Sequence, residues 1–411
     1  MSEWKEVSLS ELGKTITGKT PSSQYPEDFG DEVPFITPSD SFEKKYISRP
    51  ERYLSRLGSD RLKDKIISSD SIMVTCIGSA MGKVAKNSLP SVTNQQINSI
   101  IVNENFDSDY IYYLFKNNYA VFRNAASGST AIPILNKTDF DNLRFKVELD
   151  LNQQRKMVSI LSKIDDKIEI NNQINQELEA MAKTLYDYWF VQFDFPDQNG
   201  KPYKSSGGKM VYHPELKREI PEGWGVDSLW NIANFYNGLA MQKYRPDTNE
   251  DDYLPVIKIR EMMNGFSKDT EKARLDIPTE AIVERGDILF SWSATLEVII
   301  WGKERGALNQ HIFKVTSDTY PKSFIYFELK SYLKVFKAIA ELRKTTMGHI
   351  TQDHLKQAKI VVPPIDLISK LDAKLQPIML KQQMLENQNQ ELTQLRDWLL
   401  PMLMNGQVKV E

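Results

Sequence analysis

Two long stretches of the chain carry apolar residues in alternating steps of four and three. The first runs through Met157, Leu161, Ile164, Ile168, Asn171, Asn175, Leu178, Ala182 and Leu185. The second runs through Leu371, Leu375, Ile378, Gln382, Leu385, Asn389, Leu392, Arg396 and Leu399. A sustained repeat of this kind is the seam of a coiled coil, so the spacing predicts long helices over 151–192 and 365–406. Pro363-Pro364 precedes the second stretch and Gly406 follows it, as helix boundaries require. Pro377 lies inside it and predicts a kink or a local opening. Asn171, Asn175 and Asn389 fall on the seams, where a buried amide lowers stability but fixes register. A solvated polar turn on an ordinary amphipathic helix is the plainer reading of the same residues.

Before each helix the pattern changes. Short β-branched runs such as Ile72 to Ile77, Ile97 to Val102, Asp287 to Trp292 and Ile360 to Val362 read as strands. Tyr110 to Phe122 and Phe324 to Leu342 have helical spacing. Residues 1–150 and 224–364 are therefore globules of mixed α/β or α+β character, between which periodicity does not choose. The stretch 193–223 is rich in Pro, Gly and Ser, including Ser205-Ser206-Gly207-Gly208, and has the composition of a linker.

The halves repeat. A shift of roughly 215 to 221 residues places Trp4, Leu9, Leu12 and Gly18 on Trp224, Leu229, Ile232 and Gly238. Pro34-Phe35-Ile36 then matches Pro255-Val256-Ile257, and Ser71-Ile72-Met73-Val74 matches Asp287-Ile288-Leu289-Phe290. Asn94-Gln95-Gln96-Ile97 falls on Asn309-Gln310-His311-Ile312, and Asn175-Gln176-Glu177-Leu178 on Asn389-Gln390-Glu391-Leu392. The order is globule, helix, linker, globule, helix. A linker at one end makes paired helices antiparallel, with the halves related by a pseudo-two-fold axis. A helix of about 38 residues is roughly 57 Å long, enough to act as a ruler between two globules.

Length and charge narrow the function classes. The 411 residues are enough for two or three domains, and 41% apolar content supports real cores. The best apolar run, Ile288 to Trp301, is interrupted by Ser291, Ser293 and Glu297, so no membrane span is expected. The start of the chain lacks a secretory signal, and Cys76 is its single cysteine. Together these point to the cytoplasm. A net charge of -3, from 52 basic and 55 acidic residues, argues against a purely charge-driven nucleic-acid binder. It leaves room for a sequence-specific one.

Catalytic signatures are near misses. Val361-Val362-Pro363-Pro364-Ile365 lacks the polar and aromatic residues of an amino-methyltransferase loop. Gly78-Ser79-Ala80-Met81-Gly82-Lys83-Val84 is one residue short of a P-loop and lacks its Ser/Thr, so it reads as a tight turn between strands, with a phosphate-backbone contact as the alternative. Glu43-Lys44-Lys45 has a nuclease-like form, but Asp40 is too close upstream, and a solvated charge run is the simpler account. His349 and His354 are badly spaced for a shared helix face, and no zinc-ligand spacing occurs. No metal or cofactor is expected.

Polar loops flanked by basic residues remain. In the first globule they offer Lys19, Thr20, Lys44, Lys45, Arg49 and Arg52, and then Ser127, Ser129 and Thr130. In the second they offer Gln242, Lys243, Tyr244 and Arg245, and then Arg343, Lys344, Thr345 and Thr346. Arg, Lys and Gln can read base edges, while Ser, Thr and backbone N–H groups hold phosphates. A plain solvated loop is the competing account of any one of them.

The whole chain resembles the specificity subunits of type I restriction-modification systems, the HsdS family. The resemblance rests on the repeat, on Gly18-Lys19-Thr20-Pro21-Ser22, and on the Ser127 to Thr130 loop. Its most specific part is Leu185-Tyr186-Asp187-Tyr188-Trp189-Phe190-Val191-Gln192-Phe193-Asp194-Phe195-Pro196, continuing through Ser206-Gly207-Gly208-Lys209-Met210 to Ile220-Pro221-Glu222-Gly223-Trp224. Gly238-Leu239-Ala240 departs from the Gly-x-Thr-Pro form. The resemblance implies a non-catalytic subunit with two target-recognition domains, each reading half of a split site in double-stranded DNA. It implies helices that set the half-site spacing and dock two adenine-N6 methyltransferase subunits, with restriction/translocase subunits joining them. A coiled-coil scaffold that reads no DNA, and a self-contained DNA-modifying enzyme, are the alternatives.

Overall fold

The computed structural model describes residues 4–78, 81–125, 133–248, 252–342, 349–408 and 410. The chain forms two compact units, one of Met1–Glu169 with Glu391–Glu411, the other of Ile170–Gln390. Each long helix contributes to both. Among the described residues no helix is long and apolar enough to cross a membrane.

The first unit is built on two five-stranded sheets. One runs in the order Gly13–Thr17, Ile97–Val102, Ile72–Thr75, Val84–Asn87 and Tyr46–Ile47; its last pair is parallel and the others antiparallel. The other places Val33–Ile36 beside Ser91–Thr93 in parallel. Ile72–Thr75 is buried at every position, as a central strand covered on both faces must be. Helix Ser108–Asn117 starts where the Asp107 carboxylate accepts the N–H groups of Asp109 and Tyr110. It buries Tyr110, Tyr112, Tyr113 and Phe115 against Phe122, Phe140 and Phe145. Leu400, Leu403 and Met404 of the second long helix join that core.

The second unit repeats the plan with two four-stranded sheets. Its main sheet runs Asn234–Asn237, Ile312–Thr316, Ile288–Ser291, Glu297–Ile300, antiparallel throughout. Helix Lys322–Leu342 buries Phe324, Ile325, Phe327, Leu329, Leu333 and Phe336. The opening strand of each unit pairs with the strand just before a long helix. Trp4–Ser8 joins Arg144–Glu148, and Gly225–Ser228 joins Lys359–Val362.

The long helices are Leu151–Tyr186 and Ile365–Met404. Within the second unit they run antiparallel. Asn171 donates to Gln388 and Asn389 at 2.8 Å each, and eight residues later Glu179 accepts from Gln382 at 3.2 Å. Within the first unit Arg396 donates to Asp165 at 3.0 Å. The second helix does not open at Pro377: it stays helical on both sides, so only the ring's missing N–H is lost from the ladder.

The stretch 193–223 is no slack tether. Phe195 stacks on Tyr203 at 4.6 Å and on Trp224 at 5.0 Å, and Met210–His213 pairs with Arg218–Pro221 as a hairpin. Asp194 accepts the N–H and hydroxyl of Ser205, each at 2.7 Å. The aromatic residues among its turn residues supply a small core of their own.

Candidate nucleic-acid interface

Each unit carries the same backbone device at the end of its sheets. In the first, strand Gly13–Thr17 runs into Gly18, whose N–H donates to the Ile97 carbonyl at 3.2 Å. Lys19 N–H donates to Thr93 O at 2.8 Å, and a Cβ on Gly18 would stand 2.2 Å from the carbonyls of Thr93 and Asn94. Only glycine fits there. Asn94, itself buried, closes the adjoining turn by accepting Gln96 N–H at 3.1 Å. In the second unit Gly238 N–H donates to Ile312 O at 3.1 Å and Leu239 N–H to Leu308 O at 2.9 Å. A Cβ on Gly238 would lie 2.3 Å from Asn309 O.

This device brings the glycine loop and the Asn-Gln turn together. Thr20 donates its hydroxyl to Gln95 at 2.6 Å, and Lys19 is exposed beside it. Asn94 N–H donates to Ile36 O, which ties in the strand whose neighbour carries Arg52 opposite Phe35. Arg52 is exposed, with its guanidinium over the rings of Phe29 and Phe35 at 5.6 and 5.3 Å. Arg49 is exposed as well. Asp40, buried below them, accepts the N–H groups of Thr37 and Glu51 at 2.7 and 2.8 Å. Its carboxylate shapes a loop.

Lys44 and Lys45 do not join this cluster. Lys45 is only 12% exposed and donates to Asp109 at 2.8 Å and Ser162 at 3.1 Å. Lys44 reaches Glu169 at 3.5 Å, and Glu43 accepts from Lys83 at 2.7 Å. Lys45 is therefore committed to pairs within its own unit beside the first long helix, while Glu43 and Lys44 pair at the exposed surface.

In the second unit, one turn of helix at Met241–Tyr244 buries Met241 and leaves Gln242 and Lys243 exposed. Tyr244 is half-buried against the core, and Arg245 is exposed. Sequence reasoning missed the aromatic residues nearby. The ring of Trp292 lies 5.6 Å from His311 and 6.3 Å from His349, and its indole N–H donates to Asn237 at 2.9 Å. Gln310 Nε2 stands 3.4 Å from His311 Nε2. The available signal was the repeat, which sets Gln310-His311 on Gln95-Gln96.

Ser127, Ser129 and Thr130, with Arg343, Lys344, Thr345 and Thr346, lie outside the described residues. Their described neighbours occupy matching places: Ile134 bridges to Ile77 in one unit and His349 to Ser293 in the other.

Comparison with known proteins agrees with this duplicated plan. Residues 1–180 and 221–394 match the type I restriction modification DNA specificity domain. A similar relative is the type I restriction enzyme MjaIX specificity subunit of Methanocaldococcus jannaschii, 28% identical over 100% of this chain and 94% of its own. Another is the type I restriction enzyme HindI specificity subunit of Haemophilus influenzae, 24% identical over 99% of this chain and 100% of its own. The fold resembles the crystal structure of a type I restriction-modification S subunit from M. genitalium. That likeness has a TM-score of 0.55 at 16% identity, over 98% of this chain and 96% of that one.

Proposed function

The chain belongs to the type I restriction-modification DNA specificity family, and from that premise we propose that it reads a split site in double-stranded DNA for a modification complex. Residues 1–150 and 224–364 are the two readers, one for each half-site. The observation that carries this reading is the duplicated glycine and Asn-Gln turn. It holds Lys19, Thr20 and Arg52 near one sheet end, and Gln242, Lys243 and Arg245 in the second reader. Arg49 belongs with the first set. Exposed cations on a near-neutral chain are placed for local phosphate and base contacts, while the chain as a whole has no general affinity for polyanions.

The long helices set the half-site spacing and dock two adenine-N6 methyltransferase subunits. Exposed apolar side chains support docking: Ile170, Ile174 and Met181 on the first helix, Met384, Leu395 and Trp398 on the second. An offset of 214 superposes Ile170 on Met384 and Met181 on Leu395, so two of these apolar positions recur on both helices. Adenine methylation needs the base flipped into a partner's pocket, so this chain positions the duplex and catalyses nothing itself. Restriction/translocase subunits complete the assembly, which works in the cytoplasm.

Exchanging residues 1–150 for those of a relative tests this reading. Methylation mapping should show one half-site changed and the other kept. A change in both would refute separate readers, and a methyltransferase complex that shifts no DNA would favour the bare scaffold.

A further inference from the structure

One cavity marks where the two units differ. In the first unit, strand Tyr46–Ile47 extends the main sheet by pairing in parallel with Val84–Asn87, Tyr46 opposite Lys86 and Ile47 opposite Asn87. In the second unit the corresponding strand, Glu297–Ile300, is the last described strand of its sheet. Pairing fixes the correspondence: Lys86 lies opposite Ile72 as Ile300 lies opposite Ile288. Asn87 N–H donates to Ser71 O as Trp301 N–H donates to Asp287 O.

Side chains fill the space along this edge in the first unit. Lys86 is 1% exposed and donates to Asp109 at 2.5 Å and to Ser108 at 3.0 Å. Lys45 reaches Asp109 and Ser162, Lys44 reaches Glu169, and the Tyr46 hydroxyl donates to Asp70 at 3.0 Å. The second unit has a cavity of about 610 Å³ instead. An offset of 214 turns the first unit's contacts into the walls of that cavity: Ser108 becomes Lys322, Asp109 becomes Ser323, Ser162 becomes Gln376 and Glu169 becomes Gln383. Ile300 takes the place of Lys86. The chain that would supply an edge strand here forms helix Ile259–Asn264 and packs Phe266 on Trp301 at 5.5 Å.

The walls also carry acid. Glu179 accepts from the Tyr326 hydroxyl, and Asp372 from the Ser323 hydroxyl. Burial holds the Glu386 carboxyl above its usual range; Lys303 and Arg285 oppose this and Glu179 adds to it. Lys322 is turned to the Gly286 carbonyl at 2.8 Å. A cation entering beside the exposed Glu386 would add to the pull of Lys303 and Arg285 on its carboxyl, while Glu179 beside it keeps the Tyr326 hydroxyl and the Gln382 amide.

We propose that this groove receives an extended segment of a partner polypeptide, added as an edge strand to Glu297–Ile300 and carrying a lysine or arginine toward Glu386 and Glu179. Main-chain pairing supplies affinity in such additions and alternate side chains supply specificity. The segment is not a second copy's 44–46, because in its own unit Lys45 is held by Asp109 and Tyr46 is already paired opposite Lys86. The partner's identity as the methyltransferase subunit rests on the family reading above; the groove does not.

Cys76, the single cysteine, is buried, so Gln383→Cys adds an accessible thiol at the groove. A benzophenone attached there, irradiated in the complex with the methyltransferase, should cross-link to one lysine- or arginine-bearing segment of that subunit. Adding Glu386→Lys should cut the yield at least tenfold while the complex still assembles. Capture only of this chain or of a second copy, or no capture in an assembled, methylating complex, would overturn the proposal. If no complex assembles, the docking reading fails, and a labelled peptide of sequence Phe42–Arg49 decides for the groove. It should bind the full-length chain saturably and lose at least tenfold in affinity to Glu386→Lys; absence of saturable binding ends the idea.

Discussion

The helix seam holds a polar contact that should lower stability while fixing register. Asn171 has no solvent exposure; its Nδ2 donates to Gln388 and Asn389 at 2.8 Å each, and its buried Oδ1 has no hydrogen-bond partner. Asn389 in turn donates to Asn172 at 2.8 Å. Replacing both Asn171 and Asn389 by Leu removes three bonds, each worth about 1 kcal/mol net, and relieves an orphaned carbonyl costing about 1–3 kcal/mol. A fully buried Leu adds about 1.5–3 kcal/mol, and one at half-buried Asn389 about half as much. The sum favours the double variant by about 2 kcal/mol. Asn171→Leu alone strands the Asn389 carbonyl against a methyl group and should stay within about 1 kcal/mol of the parent chain. Because two compact units need not unfold together, the measurement is hydrogen exchange at amides 168–175 in the full chain. Roughly thirtyfold slower exchange is expected for the double variant, following from about 2 kcal/mol of added protection. Faster exchange than in the parent would refute the reasoning, since the amides would then be contributing net stability.

Inserting four residues after Asn175 lengthens the first helix by about 6 Å, or nearly two base pairs at roughly 3.4 Å each. Methylation mapping should find a longer spacer with both half-site sequences kept, or no assembly; an unaltered spacer at full methylation would end the ruler idea. Lys19→Ala and Lys243→Ala should each lower the salt slope of DNA binding by about one if they hold phosphates. They should instead cost about 1–3 kcal/mol and relax one base position if they read bases. Burial pushes the Glu328 carboxyl up to about 7, against the pull of the Tyr186 hydroxyl and Arg218. The folded second unit thus keeps a proton that the unfolded chain releases near 4.5, so its stability should fall between about pH 4.5 and 7 and level off above. Melting across that range should lose its slope in Glu328→Gln, and an unchanged slope would assign it to another group.

What the sequence shows directly is whatever depends on near neighbours. The run Ile97 to Val102 is β-branched, and it forms a strand over those six residues. The three-four seam becomes two helices because its period is a local property. Lys45 misleads for the opposite reason. It stands in a charge run that looks solvated, while the carboxylate that takes its ammonium, Asp109, is 64 residues away. Residues 193–223 mislead through composition, since the turn residues hide Phe193, Phe195 and Tyr203, which pack together with Trp224. Trp292, His311 and His349 meet only because strand pairing places them together.

The duplication also separates what must be the same in both halves from what must differ. Gly18 and Gly238 admit no side chain, and each donates to the residue that opens the strand after the Asn-Gln turn. Asn94 and Asn309 are both buried, and their N–H groups donate to Ile36 and Ile257 at 3.0 and 3.1 Å. These are backbone tasks, and their residues repeat because a changed one would break the turn. The side chains that follow do not repeat: Lys19 and Thr20 stand against Ala240 and a Leu239 that packs on the core of its unit, and Gln96 against His311. A protein reading one sequence twice would have no reason to vary them. A protein reading two different half-sites on one scaffold must vary these side chains while keeping the turns that present them.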